Sequence, residues 1–174
     1  MSCKADAKYN FGRASEHDEI VYGAARPGAA SQRCFNENDK VTVPEIEEWA
    51  DSMAAHGIQR VVSLLSTSEV GTYTEPPTPV LARRFKRAVL LDAKAPGAVG
   101  ELVGELRAAQ EAGEKVVVHC WGGGGRTGLA LAAWLVRGHG MEPEAAAAHV
   151  ESYAKAQGAS RRADVAQLRE WLDK

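Results

Sequence analysis

Three cysteines in 174 residues, at Cys3, Cys34 and Cys120, are too few and too scattered for a disulfide framework. No Cys-x-x-Cys pair and no Cys/His spacing suited to zinc occurs, so no metal site is expected and at least one thiol should be free. Cys34 reads as a small buried hydrophobe, whereas Cys3 lies in a polar tail. Neither sign of charge is in excess: 21 Lys and Arg face 23 Asp and Glu, which leaves no overall field to gather nucleic acid or an acidic membrane. Any anion site must therefore be local. No apolar run approaches the roughly 20 residues of a membrane span. The opening stretch "MSCKADAKYNFGRASEHDE" also lacks the apolar centre of a secretory signal. These absences predict a cytoplasmic monomer with no nucleic-acid or membrane partner. Internal repeats are absent too, and the alanines at 145–148 reflect helix propensity.

What remains is enough for one domain. Apolar residues make up 45% of the chain, and its length lies in the usual single-core range. Residues 1–18 read as a polar, aperiodic arm and 19–174 as the folded domain. "EIVYGAARPG" suggests a short strand ending in a turn. In "VPEIEEWADSMAAHG", Ile46, Trp49, Ala50 and Met53 share one helical face, with Pro44 at its start and Gly57 at its end. "RVVSLL" is a short branched run suited to a buried strand, and "STSEVGTYTEPPTP" reads as a long proline-rich loop. "FKRAVLLD" predicts another strand, Gly97–Ala112 a helix, and "KVVVHC" a strand covered on both faces. Helices are expected over Arg126–Arg137, Pro143–Gln157 and Arg162–Leu172. Strands alternating with helices imply an α/β layer fold, a mostly parallel sheet of about four to five strands flanked by helices. In such a sheet ligands bind beyond the carboxyl ends of the strands, where Arg26, Ser66, Asp92 and Cys120 should converge.

The densest chemistry sits in "VVVHCWGGGGRTG". A loop between a strand and a helix N-terminus aims several unpaired N–H groups at one point, and the helix dipole adds positive charge there. Glycines at Gly122, Gly123, Gly124 and Gly125 let the backbone curl into such a nest, including at positive φ. Arg126 adds a planar fork for two oxygens of a phosphate-like group. The same field favours the thiolate of Cys120, which is the nucleophilic form. Thr127 is placed to donate its hydroxyl to that sulfur. His119 is expected to point away and tie the loop to neighbouring backbone, so it is not the candidate base.

Cys120, five residues, then Arg126 and Thr127, with Gly123 three after the cysteine, match H-C-x-x-G-x-x-R-[ST]. The chain resembles the cysteine-dependent protein tyrosine phosphatase superfamily, and within it the compact dual-specificity phosphatases. "HCWGGGGRTG" is especially similar to the loop of the kinase-associated phosphatase branch, with an aromatic residue, Trp121, after the cysteine. The resemblance implies a single-domain dual-specificity-phosphatase-like fold and hydrolysis of phosphotyrosine, with phosphoserine and phosphothreonine as further candidates, through a phosphocysteine, without metal or cofactor. It also implies a phosphorylated protein as partner. Substrate phosphate would lie against Trp121, the glycines from Gly122 to Gly125 and Arg126. Members carry an acidic residue on the loop after the preceding strand; Asp92 follows "AVLL" and precedes Cys120 by 28 residues (120 − 92), and it is the candidate general acid.

Glu69 and Tyr73 form a Glu-x-x-x-Tyr arrangement similar to a segment beside the site in kinase-associated phosphatases, and are expected at its mouth. Arg26, Arg161 and Arg162 are secondary candidates for phosphopeptide contacts. "SRRADVAQ" stands where the family often has a water-positioning glutamine. Phosphoinositide phosphatases of the superfamily carry lysines in this loop, and "WGGGG" has none. Alternatives for a cysteine in an anion-cradling loop are a rhodanese-like sulfurtransferase and an arsenate reductase, the latter needing Cys34 as a resolving thiol. A third is a non-catalytic pseudophosphatase that binds phosphoproteins. The dinucleotide fingerprint fails because the third glycine is missing at position 127.

Overall fold

A computed structural model describes residues 7–34 and 36–174. Its centre is a five-stranded sheet in the order β1-β2-β5-β3-β4. The strands are β1 (Gly12–Ser15), β2 (Asp18–Ala24), β3 (Ile58–Ser63), β4 (Arg87–Leu90) and β5 (Lys115–His119). Only β1 runs antiparallel, so the four strands from β2 to β4 end on the same edge. The α/β expectation, with its mostly parallel sheet and flanking helices, holds.

The sheet buries both faces, which is why β5 reads as unbroken valine. Val116 and Val118 face one apolar cluster; Val117 faces the other. On the first face pack α4 (Ala98–Ala112), α5 (Gly125–His139), α6 (Pro143–Gln157) and α7 (Val165–Leu172). The second face is covered by α1 (Val43–Ala55), whose Ile46, Trp49, Ala50 and Met53 are all buried as their spacing predicts. Pro44 and the Thr42/Glu45 capping box open that helix.

Two stretches differ from expectation. Cys3 and the first six residues lie outside the described residues, but the rest of the expected arm is part of the fold: Phe11 is fully buried, stacked on Tyr22 at 5.1 Å, and β1 pairs with β2. A four-residue edge strand reading "GRAS" is too short for its alternation to register in sequence. The proline-rich loop contains α2 (Thr67–Val70) and α3 (Pro77–Ala82). A capping box between Ser66 and Glu69 starts the first, and Pro77 in the opening turn starts the second. Cys34 is exposed rather than buried.

Asp18 fastens the sheet to α5, the helix that carries the loop of interest. Its carboxylate is 3% exposed and accepts from Trp134 Nε1 at 2.6 Å, from the Ile20 and Val21 N–H groups, and from His139 Nε2 at 2.8 Å. Burial alone would push this carboxyl up, but the bonds from Trp134 and His139 and the two backbone donors outweigh it, leaving Asp18 below its ordinary value. A carboxyl depressed in the folded state stabilises above its unfolded value, and that contribution fades as pH falls through the folded one. Asp18→Ala is expected to lose about 3 kcal/mol in urea denaturation at neutral pH. The deficit should shrink as the titration is repeated below about pH 4; a deficit independent of pH would separate the loss from ionisation.

Candidate active site

Arg26, Ser66, Asp92 and Cys120 follow β2, β3, β4 and β5, and the parallel strands bring them to one rim. Cys120 lies at the floor, 2% exposed, at the end of the central strand. The loop from Cys120 to Arg126 then passes into α5.

Peptide polarity decides what this loop can do. Each carbonyl from Cys120 to Gly124 accepts a hydrogen bond from outside the concavity. The donors are His119 Nδ1 to Cys120 (3.2 Å), Arg26 Nη1 to Trp121 (3.0 Å), Asn10 Nδ2 to Gly122 (3.1 Å), Arg161 Nη1 to Gly123 (2.8 Å) and the Arg162 N–H to Gly124 (3.0 Å). With the carbonyls held outward, the N–H groups of residues 122–125 turn inward, and among the described residues these and the Arg126 N–H in the first turn of α5 donate to nothing. The α5 N-terminus adds its dipole to the same point.

The four glycines are not equivalent. Gly123 has φ +77°, and a Cβ there would stand 2.7 Å from the Ala24 carbonyl carbon and the Ala25 nitrogen. Gly122 has open space around it, and Gly124 and Gly125 would meet Arg162 only at ordinary contact distance. The expectation that all four serve the curl therefore narrows to Gly123. Gly128 is the glycine that sequence reasoning passed over: a Cβ would lie 2.0 Å from the Arg162 carbonyl oxygen, so α5 and residue 162 meet backbone to backbone.

Arg126 is divided between two tasks. Glu69 takes it end-on, Oε2 from Nη1 at 2.7 Å and Oε1 from Nη2 at 2.6 Å, while Nη1 also donates to the Leu64 carbonyl at 2.8 Å. A guanidinium has five N–H bonds. Three are used, and the two left over, on Nε and Nη2, form the side-on fork suited to two oxygens of one phosphate. Glu69 is itself set by α2, since its Oε2 also accepts the Ser66 N–H at 2.7 Å. Burial would raise its carboxyl, but the bonds from Arg126 and Ser66 hold it below the ordinary range. Glu69 thus lies beside the site as expected, with a role in orienting Arg126 that the resemblance did not supply. The Ser-x-x-Glu capping pattern was its legible signal.

Tyr73 is buried instead of lining the mouth. Its hydroxyl donates to the Pro27 carbonyl at 2.7 Å, and burial pushes it well above its ordinary value. Arg26 and Arg161, expected as contacts for a phosphopeptide, are buried struts. Arg26 stacks its guanidinium 3.6 Å from the Trp121 ring centre, and Arg161 also donates to the Gly23 carbonyl at 2.9 Å. Burial lowers Arg161 to about 10, so it stays charged at neutral pH. The fields of Arg26, Arg126 and Arg161 all reach the Cys120 sulfur. His119 is fully buried and lowered to about 4, first by that burial, and it serves the Cys120 carbonyl as expected. Thr127 is buried with no partner for its hydroxyl among the described residues, so the expected bond to sulfur is not made.

Asp92 is exposed, and its Oδ1 accepts the Lys94 N–H at 2.9 Å. It shares with Arg126, Leu64, Leu65, Ser66 and Ser68 a cleft of about 400 Å³. Its loop is held by Trp171 of α7, whose Nε1 donates to the Ala93 carbonyl at 2.9 Å.

A family model described as polymorphic toxin system, DSP-PTPase phosphatase (Tc-R-P) matches residues 38–140, more than half of the chain. Among curated protein sequences none matches. Of solved structures, Tk-PTP in its active form is similar at TM-score 0.59 and 22% identity, over 90% of this chain and 92% of that one. PTPMT1 in complex with PI(5)P gives 0.64 and 17%, over 94% of each. Kinase-associated phosphatase with its catalytic cysteine replaced by serine gives 0.63 and 20%, over 87% and 83%. At these identities the likeness is one of fold.

Gly123→Ala forces a Cβ into backbone at positive φ. It is expected to cost about 2 kcal/mol and lower Tm by roughly 5 °C, with loss of anion binding. Gly122→Ala should leave Tm within about 1 °C. Differential scanning calorimetry with and without orthovanadate checks both; equal Tm for the two variants would refute the distinction.

Proposed function

The chain belongs to the polymorphic-toxin-system DSP-PTPase phosphatase family, and on that premise we propose that it hydrolyses phosphorylated side chains of proteins, phosphotyrosine foremost, by way of a phosphocysteine on Cys120. One observation carries the reading: the two unengaged N–H bonds of Arg126 and the inward N–H groups of residues 122–125 belong to one loop whose first residue is the thiol. A tetrahedral dianion seated there meets its nucleophile and its clamp together.

In the first step the Cys120 thiolate attacks phosphorus in line, the S–P bond forms and the P–O bond to the leaving group breaks. Charge spread over the equatorial oxygens is held by Arg126 and the loop amides. Asp92, beside Arg126 in the cleft, gives its proton to the departing oxygen. In the second step water attacks phosphorus, Asp92 accepts its proton, the S–P bond breaks, and inorganic phosphate and the thiolate are released. His119, lowered to about 4 and turned to the Cys120 carbonyl, does not take part in proton transfer. The proposal includes action as a monomer. Dependence on a reduced thiol suits the cytoplasm.

The sulfurtransferase and arsenate-reductase alternatives have no use for Asp92. Cys120→Ser should abolish hydrolysis of a small aryl phosphate. Asp92→Asn should lower kcat about 100-fold for a substrate with a poorly acidic leaving group, and far less for one whose leaving phenol is strongly acidic. Steady-state rates on a graded series of aryl phosphates make the comparison. An equal loss across the series would remove Asp92 from the role of general acid.

A further inference from the structure

Residues 160–163 are strapped across the loop, and one side chain of that strap is left over. Asn10 holds Ser160 from both sides, its Oδ1 accepting the Ser160 N–H at 2.8 Å and its Nδ2 donating to the Ser160 carbonyl at 2.9 Å. Arg161 is spent on the Gly123 and Gly23 carbonyls. The Arg162 N–H donates to Gly124, and the carbonyl of the same residue is pressed against Gly128. The Ala163 N–H donates to Glu151 at 2.9 Å. The backbone beneath Arg162 is thus fixed on both sides.

Its side chain does not extend into solvent. The guanidinium lies back over the loop, with Nη2 3.6 Å from the point where a Cβ on Gly125 would stand and 3.8 Å from that on Gly124. It is exposed, and it makes no ion pair among the described residues. The neighbouring carboxylates are occupied elsewhere, Glu151 with the Ala163 N–H and Asp164 with the Gln167 N–H. The guanidinium therefore rests at contact distance from Gly124 and Gly125, beside the phosphate seat.

We propose that Arg162 is a specificity-determining residue that receives an acidic side chain flanking the phosphorylated residue of a peptide substrate; this rests on the phosphatase reading above. One cation suits one added carboxylate. A polyphosphorylated headgroup would call for several, and the loop contributes no lysine. Long arginines exposed at a rim contribute modest energy, so the effect is one of preference.

The test compares two peptides that share a phosphotyrosine and differ only in carrying Glu or Lys beside it. The readout is the ratio of their kcat/KM values within each protein, so that any general change of activity cancels. The wild-type protein should favour the acidic flank. Arg162→Ala should reduce the ratio about threefold to fivefold, and Arg162→Glu should invert it. Raising ionic strength should shrink the wild-type ratio, since the pair is exposed. A ratio unchanged across the three proteins overturns the proposal, as does a loss in Arg162→Glu confined to a short-chain phosphoinositide. Aryl-phosphate hydrolysis without flank preference sinks this proposal alone; failure of the wild-type protein to hydrolyse any aryl phosphate sinks the phosphatase reading with it.

Discussion

The site depends on five carbonyls that point the wrong way for an anion and are therefore held outward. A peptide unit cannot turn its oxygen out without turning the next N–H in. The bonds from His119, Arg26, Asn10, Arg161 and the Arg162 N–H thus fix the inner lining of the loop by governing its outer one. These donors come from both ends of the domain. A motif that is contiguous in sequence takes its working shape only when β1, the end of β2 and the segment before α7 have closed around it.

Arg126 shows the same division within a single side chain. Left alone, a guanidinium at a half-exposed rim would sample many orientations, and its rotamer entropy would be lost each time an anion bound. Glu69 and the Leu64 carbonyl remove that freedom in advance, and they do so along the edge that the anion does not need. Arg26 and Arg161 add two further cations whose fields reach Cys120.

How much of this could be read from the sequence follows from how local each feature is. Branched runs, the amphipathic face of α1 and the order of elements were legible because periodicity and burial act within one element. Cys120, Gly123 and Arg126 were legible because the loop carries its chemistry at fixed spacing. Burial of Arg26 and Arg161 was not, since an arginine in a turn looks the same whether its partner is water or a carbonyl far along the chain. Glu69 was half legible: its capping box is a local pattern, whereas its bond to Arg126 spans two loops. Phe11 and β1 were missed because a four-residue edge strand offers too few positions for a period to show.

Buried guanidiniums are unfavourable unless something answers their charge. Among the described residues Arg161 is satisfied by carbonyl dipoles alone and its Nε has no partner, and burial holds it near 10. On the proposed reading, what answers this cation lies on the other side of the same peptides, the phosphate dianion of the substrate. Stability given up to bury the cation is recovered as attraction for that anion, by the linkage through which any ligand of the native state opposes unfolding. The strut that shapes the loop and the field that draws the substrate are one residue, so neither function can be altered at position 161 without disturbing the other.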